Sequence, residues 1–491
     1  MRMHEKVKID KTNRETTKKI EKIEKEEKEE TKAETGINQM SQEERVLYMT
    51  QAPIPGLICK MAVPTIISML VTSFYNIVDT IFVGRLDTQS TAAVGVSFSV
   101  MALIQAMGFF FGHGSGNYIS RRLGAREYED ARKMAATGFY LALIAGAIVG
   151  AAGIILVHPI SMILGSTKTI LPYTVKYLRV IFAGAPFIMG SFVLNNQMRF
   201  QGSASYAMIG IVSGGILNIV LDPILIFGCH MGITGAALAT VLSQAVSFWI
   251  LIMMNRKAVI GISWKKFTPS QYYLVGIFKG GIPSLCRQGI GSVATICLNT
   301  AAGNYGGAAA DAAIAAMGVV SRISMFANSA LIGFGQGFQP VCGTNYGARK
   351  YERVREAFYF CVKVGTAALL VISLAGFVFA EPLMKLFRDD KEVIRIGMLA
   401  LRFQCAAFPL NVWIIMCNMM LQTIGMAGKA SVVASARQGI FFIPLILILP
   451  ACMGLLGVQI CQMVADICTF ALALPIGMGV LRSLQTSKTL Q

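Results

Sequence analysis

From about residue 57 the chain is a succession of twelve apolar runs separated by short polar breaks. They fall at 61–83, 91–114, 134–156, 177–198, 206–227 and 234–254, then at 273–299, 313–341, 357–379, 396–424, 432–451 and 455–481. At ~1.5 Å per residue, roughly 20 helical residues cross a hydrocarbon core about 30 Å thick. Backbone polar groups find no water there, so each run must be a helix. The predicted fold class is an all-α integral membrane protein with twelve transmembrane helices. Composition agrees, with 54% hydrophobic and 14% charged residues, against about 25% charged in a soluble domain. The formal charge is +18, but residues 1–50 hold 12 Lys/Arg and 12 Asp/Glu, which cancel. The excess therefore sits in the membrane part. It reads as basic loops on one side of a bilayer rather than as a nucleic-acid surface, so the bilayer is an expected partner and nucleic acid is not.

With the N-terminus inside, the inner loops hold Arg121, Arg122, Arg126 and Arg132, then Arg199, then Arg349, Lys350, Arg353 and Arg355. The opposite loops hold few Lys or Arg outside 380–395, where four basic residues meet four acidic ones. This places both termini in the cytoplasm. The eleven cysteines form no disulfide framework and no CxxC pair.

The chain repeats itself at an offset of 223 residues. Gly124-Ala125-Arg126 matches Gly347-Ala348-Arg349, and Leu178, Arg179, Pro186, Asn195 and Gly202 match Leu401, Arg402, Pro409, Asn418 and Gly425. Each half has six runs, an even number, so both enter the membrane in the same sense. Two six-helix bundles related by a parallel internal repeat are expected. The domain reading is a charged tail at 1–50, bundles at 55–254 and 273–482, a linker at 255–272 and a C-terminal tail at 483–491.

A carboxylate inside a membrane costs about 2.5–3.5 kcal/mol or more, so each one marks a candidate site. Asp79 lies four residues inside the outer end of the first run and Asp222 five residues inside that of the fifth. Asn218 and Asp222 are i,i+4 and share a helix face. Pro223 cannot donate to the Ile219 carbonyl, which leaves an oxygen free. Asp79, Asp222 and Thr240 lie at one depth, about 6–9 Å from the outer ends of their runs. Two acids at one buried level repel, so one is expected to hold a proton. The same oxygens also suit a hard cation such as Na⁺. In the second half Leu298 is read opposite Asp79, and aligning Pro444 with Pro223 puts Ile443 opposite Asp222. Asp466 has no visible partner, and a structural role is expected for it. Tyr75, Asn76, Arg287, Gln336 and Gln339 are further intramembrane polar residues and are expected to face a central cleft. His113, His158 and His230 are isolated. The many Met and Phe (27 and 28) suit an adaptable apolar pocket.

The stretches YNIVDTIFVG, NIVLDPILIFG followed by MGITGAALATVLSQ, and GFGQGFQPVCGTNYGAR resemble the bacterial multidrug and toxic compound extrusion (MATE) family over about residues 55–482. The resemblance implies two six-helix bundles in a V around a cleft. It also implies a secondary antiporter that exports amphipathic organic cations in exchange for H⁺ or Na⁺. On this likeness the cation site falls on Asp79, Asn218, Asp222 and Thr240. No cofactor is expected beyond the coupling ion, and the chain is expected to be a monomer in a bacterial plasma membrane. Spans 7 and 10 carry no acid, which departs from relatives with a sodium site in the second bundle. A flippase for a lipid-linked precursor is the alternative, with Arg287, Arg322 and Arg402 as its only candidate phosphate contacts. The sparse His argue against an embedded enzyme, and no P-loop occurs to power a primary pump.

Overall fold

The computed structural model describes residues 41–387 and 390–489. Those residues are almost wholly helical. In chain order the long helices are α1 (Ile54–Gly84), α2 (Thr88–Gly124), α3 (Tyr128–Ile155), α4 (Leu171–Phe200), α5 (Ala204–Gly228), α6 (Gly232–Asn255), α7 (Gln271–Tyr305), α8 (Ala310–Gly347), α9 (Tyr351–Val378), α10 (Lys391–Thr423), α11 (Ala427–Met453) and α12 (Leu455–Thr489). Eleven of them are apolar enough throughout to qualify as spans by hydropathy. The twelfth is α7, whose 35 residues include Lys279, Arg287 and several Gly and Ser. The fold is twelve transmembrane helices in two bundles.

Local chemistry starts several of these helices. Asp87 caps α2 by accepting the Ser90 amide at 2.6 Å, and Asp390 caps α10 by accepting the Glu392 and Val393 amides. Such caps satisfy amides that have no intrahelical partner. Prolines inside α1, α4, α7, α8 and α10 do not end those helices, as packed membrane helices allow.

Packing carries the repeat into three dimensions. In the first bundle α1 packs on α5, α5 on α6, α6 on α4, and α4 on α2 and α3, with α2 on α3. The second bundle reproduces each pair six helices later: α7 on α11, α11 on α12, α12 on α10, α10 on α8 and α9, and α8 on α9. The bundles meet through α1 against α8 and α2 against α7, again a symmetric exchange. The backbone keeps the repeat too. Arg126 and Arg349 both take positive φ, 63° and 58°, at the turns that close α2 and α8. In both turns the amide of the next residue returns to a carbonyl five residues back, Glu127 to Arg122 and Lys350 to Asn345. This is a Schellman-type close with an arginine where glycine is usual. Likewise Asn195 donates to the Ala207 carbonyl at 2.9 Å and Asn418 to the Ala430 carbonyl at 2.7 Å.

The ends of α2 and α8 cross at close range. A Cβ on Gly124 would come within 2.0 Å of the Thr344 carbonyl oxygen, and one on Gly347 within 1.9 Å of the Arg121 carbonyl oxygen. Both pairs are the same contact read from the two sides of the pseudo-twofold. Only glycine permits that approach, which seals the two bundles together at the end that carries the basic loops.

Between α6 and α7 the connecting segment folds back on α3. Trp264 packs on Tyr140 (centroids 4.7 Å apart), Lys266 pairs with Glu129 at 2.7 Å, and the Thr268 amide donates to the Thr137 hydroxyl.

The IEKIEKEEKEE stretch of the expected tail lies outside the described residues. Within the segment read as tail, the chain is already helical from Gln42 to Gln51. Ser41 and Glu44 form a reciprocal capping box there: the Ser41 amide donates to Glu44 Oε2 at 2.8 Å and the Glu44 amide to Ser41 Oγ at 3.3 Å. Deleting residues 1–40 leaves that cap intact and is expected to leave folding and membrane insertion unchanged. A deletion through residue 45 removes the cap and is expected to fray the helix start. Membrane yield and monodispersity of the two truncations test this. A large loss with the shorter one would show that the tail does more than solvate.

Candidate functional site

The acids lie on α1 and α5, which pack together, and α5 packs in turn on α6. α1 carries Tyr75 and Asp79 one turn apart, α5 carries Asn218 and Asp222, and α6 brings Thr240. Asp222 is 0% exposed and Asn218 is buried beside it, its amide donating to Asp222 Oδ1 at 3.4 Å. Asp79 Oδ1 and Asp222 Oδ2 are both buried without a hydrogen-bond partner. The two carboxylates lie close enough to feel each other's charge. Thr240 spends its proton on the Ala236 carbonyl at 3.1 Å, so its hydroxyl oxygen is left as an acceptor. Just past Asp222 the α-helix widens into a π turn over Ile224–Gly228. Such turns occur often where a helix must present groups to a site.

Buried polar atoms without partners are rare. Two carboxylate oxygens without partners are acceptors that a proton or a small cation can satisfy. The donor set is all oxygen, which fits either. Tyr177 of α4, also buried, lies within electrostatic reach of both acids. Sequence reasoning passed over it because a tyrosine in a long apolar helix looks like packing. Tyr75 is buried against Gly215 of α5, and Asn76 is half-buried with its carbonyl accepting the Thr80 hydroxyl.

The expected cleft residues of the second bundle divide. Arg287 is half-buried, and among the described residues it has no hydrogen bond or ion pair. It stands within electrostatic reach of His113 and Arg199. Gln336 and Gln339 do not face an open cleft: they are 1% and 0% exposed. Gln336 accepts from the guanidinium of Arg199, and neither amide atom of Gln339 has a partner. Arg199, expected in a loop, is instead buried in the last turn of α4, where it also donates to Asn196. His113 joins this network at 3.2 Å from Arg199 and 3.0 Å from the Ser284 hydroxyl of α7. Gln422 of α10 donates to the same Ser284 oxygen at 2.7 Å. One continuous buried chain of polar groups thus links four helices of the two bundles with α10. It makes His113 a structural member of the junction rather than an isolated side chain.

Asp466 has a structural setting, as expected, with partners that the sequence does not show. It is fully buried and well partnered: Arg437 of α11 reaches its two oxygens at 2.8 and 3.3 Å, Asn411 donates at 3.0 Å and Gln462 at 2.8 Å. Arg437 sits in a π turn, Ala436–Ile440. At the repeat's offset its counterpart is Gly214, on the side of α5 that meets α6. In the first bundle α5 and α6 meet there through small residues: a Cβ on Gly214 would lie 2.9 Å from the Ser247 Cβ and 3.2 Å from the Ser243 carbonyl oxygen. The second bundle replaces a small-residue contact with an ion pair.

Comparison with known proteins agrees with this architecture. The chain matches the MatE family over residues 64–224 and 285–448, one stretch in each half. It is 30% identical over 434 residues to the multidrug export protein MepA of Staphylococcus aureus (strain N315), covering 88% of this chain and 95% of that protein. It is 28% identical over 436 residues to MepA of Staphylococcus haemolyticus (strain JCSC1435), covering 87% and 94%. Among solved structures, the outward-facing conformation of a multidrug resistance MATE family transporter of the MOP superfamily superposes with a TM-score of 0.85 at 28% identity, covering 89% of this chain and 98% of that one. With both repeats matched in order and the twelve-helix architecture in common, the chain belongs to the MATE family of multidrug efflux transporters.

Proposed function

We propose that this chain is a secondary antiporter that exports amphipathic organic cations in exchange for H⁺ or Na⁺. The observation that carries this reading is the pair of carboxylates, half-buried Asp79 and fully buried Asp222, each with a buried oxygen left without a partner. Asn218 and Thr240 complete the set. Loading a proton or Na⁺ onto it neutralises the charge that an organic cation in the cleft would otherwise seek. The coupling ion and the drug then favour different states, which is what exchange requires. Tyr75, Asn76 and Arg287 are the proposed cleft contacts. The two halves, 55–254 and 273–482, are proposed to rock about the 255–272 linker in alternating access. The end sealed by Gly124 and Gly347 is the basic one, and we place it and both termini in the cytoplasm of a bacterium, by the bias of Lys and Arg. A relative described as outward-facing has the same overall arrangement, which fits a cytoplasmic seal. The flippase alternative needs cations gathered for phosphate, yet Arg402 is engaged with the Phe377 carbonyl and ring, and Arg322 lies exposed on α8.

Expression in a pump-deficient host is expected to lower accumulation of ethidium-like dyes. Varying the pH and Na⁺ gradients separately identifies the coupling ion. Response to lipid pyrophosphates but not to cationic dyes would favour the flippase.

A further inference from the structure

We propose that a pocket at the basic end, between α2 and α7, binds the phosphate headgroup of an acidic phospholipid. The cavity is about 520 Å³, and its wall includes Tyr118, Arg121, Tyr272, Lys279, Gly280 and Gly425. No carboxylate lines it. Nearby Arg122 is neutralised by Glu127 and Asp130. Arg121 and Lys279 are not: among the described residues neither has an acid partner. Arg121 donates only to the backbone carbonyl of Thr423, which fixes its guanidinium against Gly425. Two cations therefore converge on one cavity with no carboxylate in its wall, the Asp130 carboxylate behind Tyr118 being held by Arg122, Tyr118 and Tyr273, and this calls for an anion from outside the chain.

Location selects the source. The cavity lies beside the first turns of α7, where Tyr118, Tyr272 and Tyr273 cluster as aromatic residues do at a membrane interface. Val275, Phe278 and Ile282 are exposed on the same stretch of helix and would meet acyl chains. Basic pockets between membrane helices on the cytoplasmic side suit anionic headgroups. The wall draws on α2 of the first bundle and on α7 and the α10–α11 turn of the second. A headgroup bound there bridges the bundles and favours the sealed basic end over any state that parts them. This goes beyond the transport reading and does not depend on the coupling acids.

The test is lipid titration of the detergent-purified full chain, followed by its thermal unfolding midpoint. Phosphatidylglycerol is expected to raise the midpoint, and phosphatidylcholine and inorganic phosphate are not. Lys279→Gln is expected to weaken phosphatidylglycerol binding about five-fold, the loss of one basic contact, while Lys279→Arg retains it. Lys429→Gln, an exposed lysine at the same end, is expected to bind as wild type. Unchanged binding by Lys279→Gln would overturn the site, as would equal stabilisation by phosphatidylcholine. Equal stabilisation by inorganic phosphate would overturn the lipid as its occupant.

Discussion

Asp79→Asn is expected to reach the membrane in normal amount and to lose gradient-driven dye efflux by about ten-fold or more, within the reach of a 1–3 kcal/mol coupling term. Insertion should not suffer, because removing an intramembrane charge lowers its cost. Asp222→Asn is expected to do nearly the same. The informative measurement is the double variant. Asp79 and Asp222 sense each other's charge and each holds an oxygen without a partner. If they hold one proton or one cation between them, the first substitution already destroys the site and the second removes little more. Independent roles would instead give losses that multiply. Efflux driven by an imposed gradient, normalised to the amount of protein in the membrane, separates these outcomes. Wild-type coupled efflux by Asp79→Asn would sink the mechanism and leave the fold untouched. Tyr177→Phe provides a finer probe: its hydroxyl is near both acids but is not a carboxylate, so a smaller loss is expected.

What could be read from the sequence was whatever depends on residue type and spacing alone. Apolar runs of span length had to be helices, and the offset of 223 residues had to mean two like bundles. The observed helices are longer than the runs, 37 residues for α2 and 38 for α8, because their more polar ends, 115–124 and 342–347, continue the helix beyond the apolar stretch. The acids on α1 and α5 were also legible, since a charge in an apolar run is conspicuous on its own. What could not be read was which side chains meet across helices. Arg199 sits at the end of an apolar run, so it looked like a loop residue; its side chain turns inward to Gln336, on a helix 137 positions away in sequence. Gln336 and Gln339 are polar and intramembrane, which suggested a cleft, but the bundle junction buries both. His113 looked alone because its partners lie on α4 and α7.

Asp466→Asn shows how much one such partner changes an expectation. With no partner in view, nothing marks the substitution as costly. With Arg437 on both its oxygens, it leaves a guanidinium facing a neutral amide in the interior of the second bundle. Removing one member of a buried pair costs about 3–5 kcal/mol. The Arg437 side chain keeps 18% of its exposure while Asp466 keeps none, which places the cost toward the lower figure. Asp466→Asn is therefore expected to lower the thermal unfolding midpoint clearly and to reduce the yield of monodisperse protein. Arg437→Gln should cost as much or more, since it strands a fully buried carboxylate. Removing both charges with apolar residues of similar size, Asp466→Leu with Arg437→Met, should recover much of the loss, because neither desolvated charge remains. The first bundle supports this: its Gly214 and Ser243 join the corresponding helices with no ion pair at all. A double variant no more stable than the singles would show that the pair holds α11 and α12 in a register that packing alone does not supply. A fully stable Asp466→Asn would mean that Asn411 and Gln462 hold this corner without the charge.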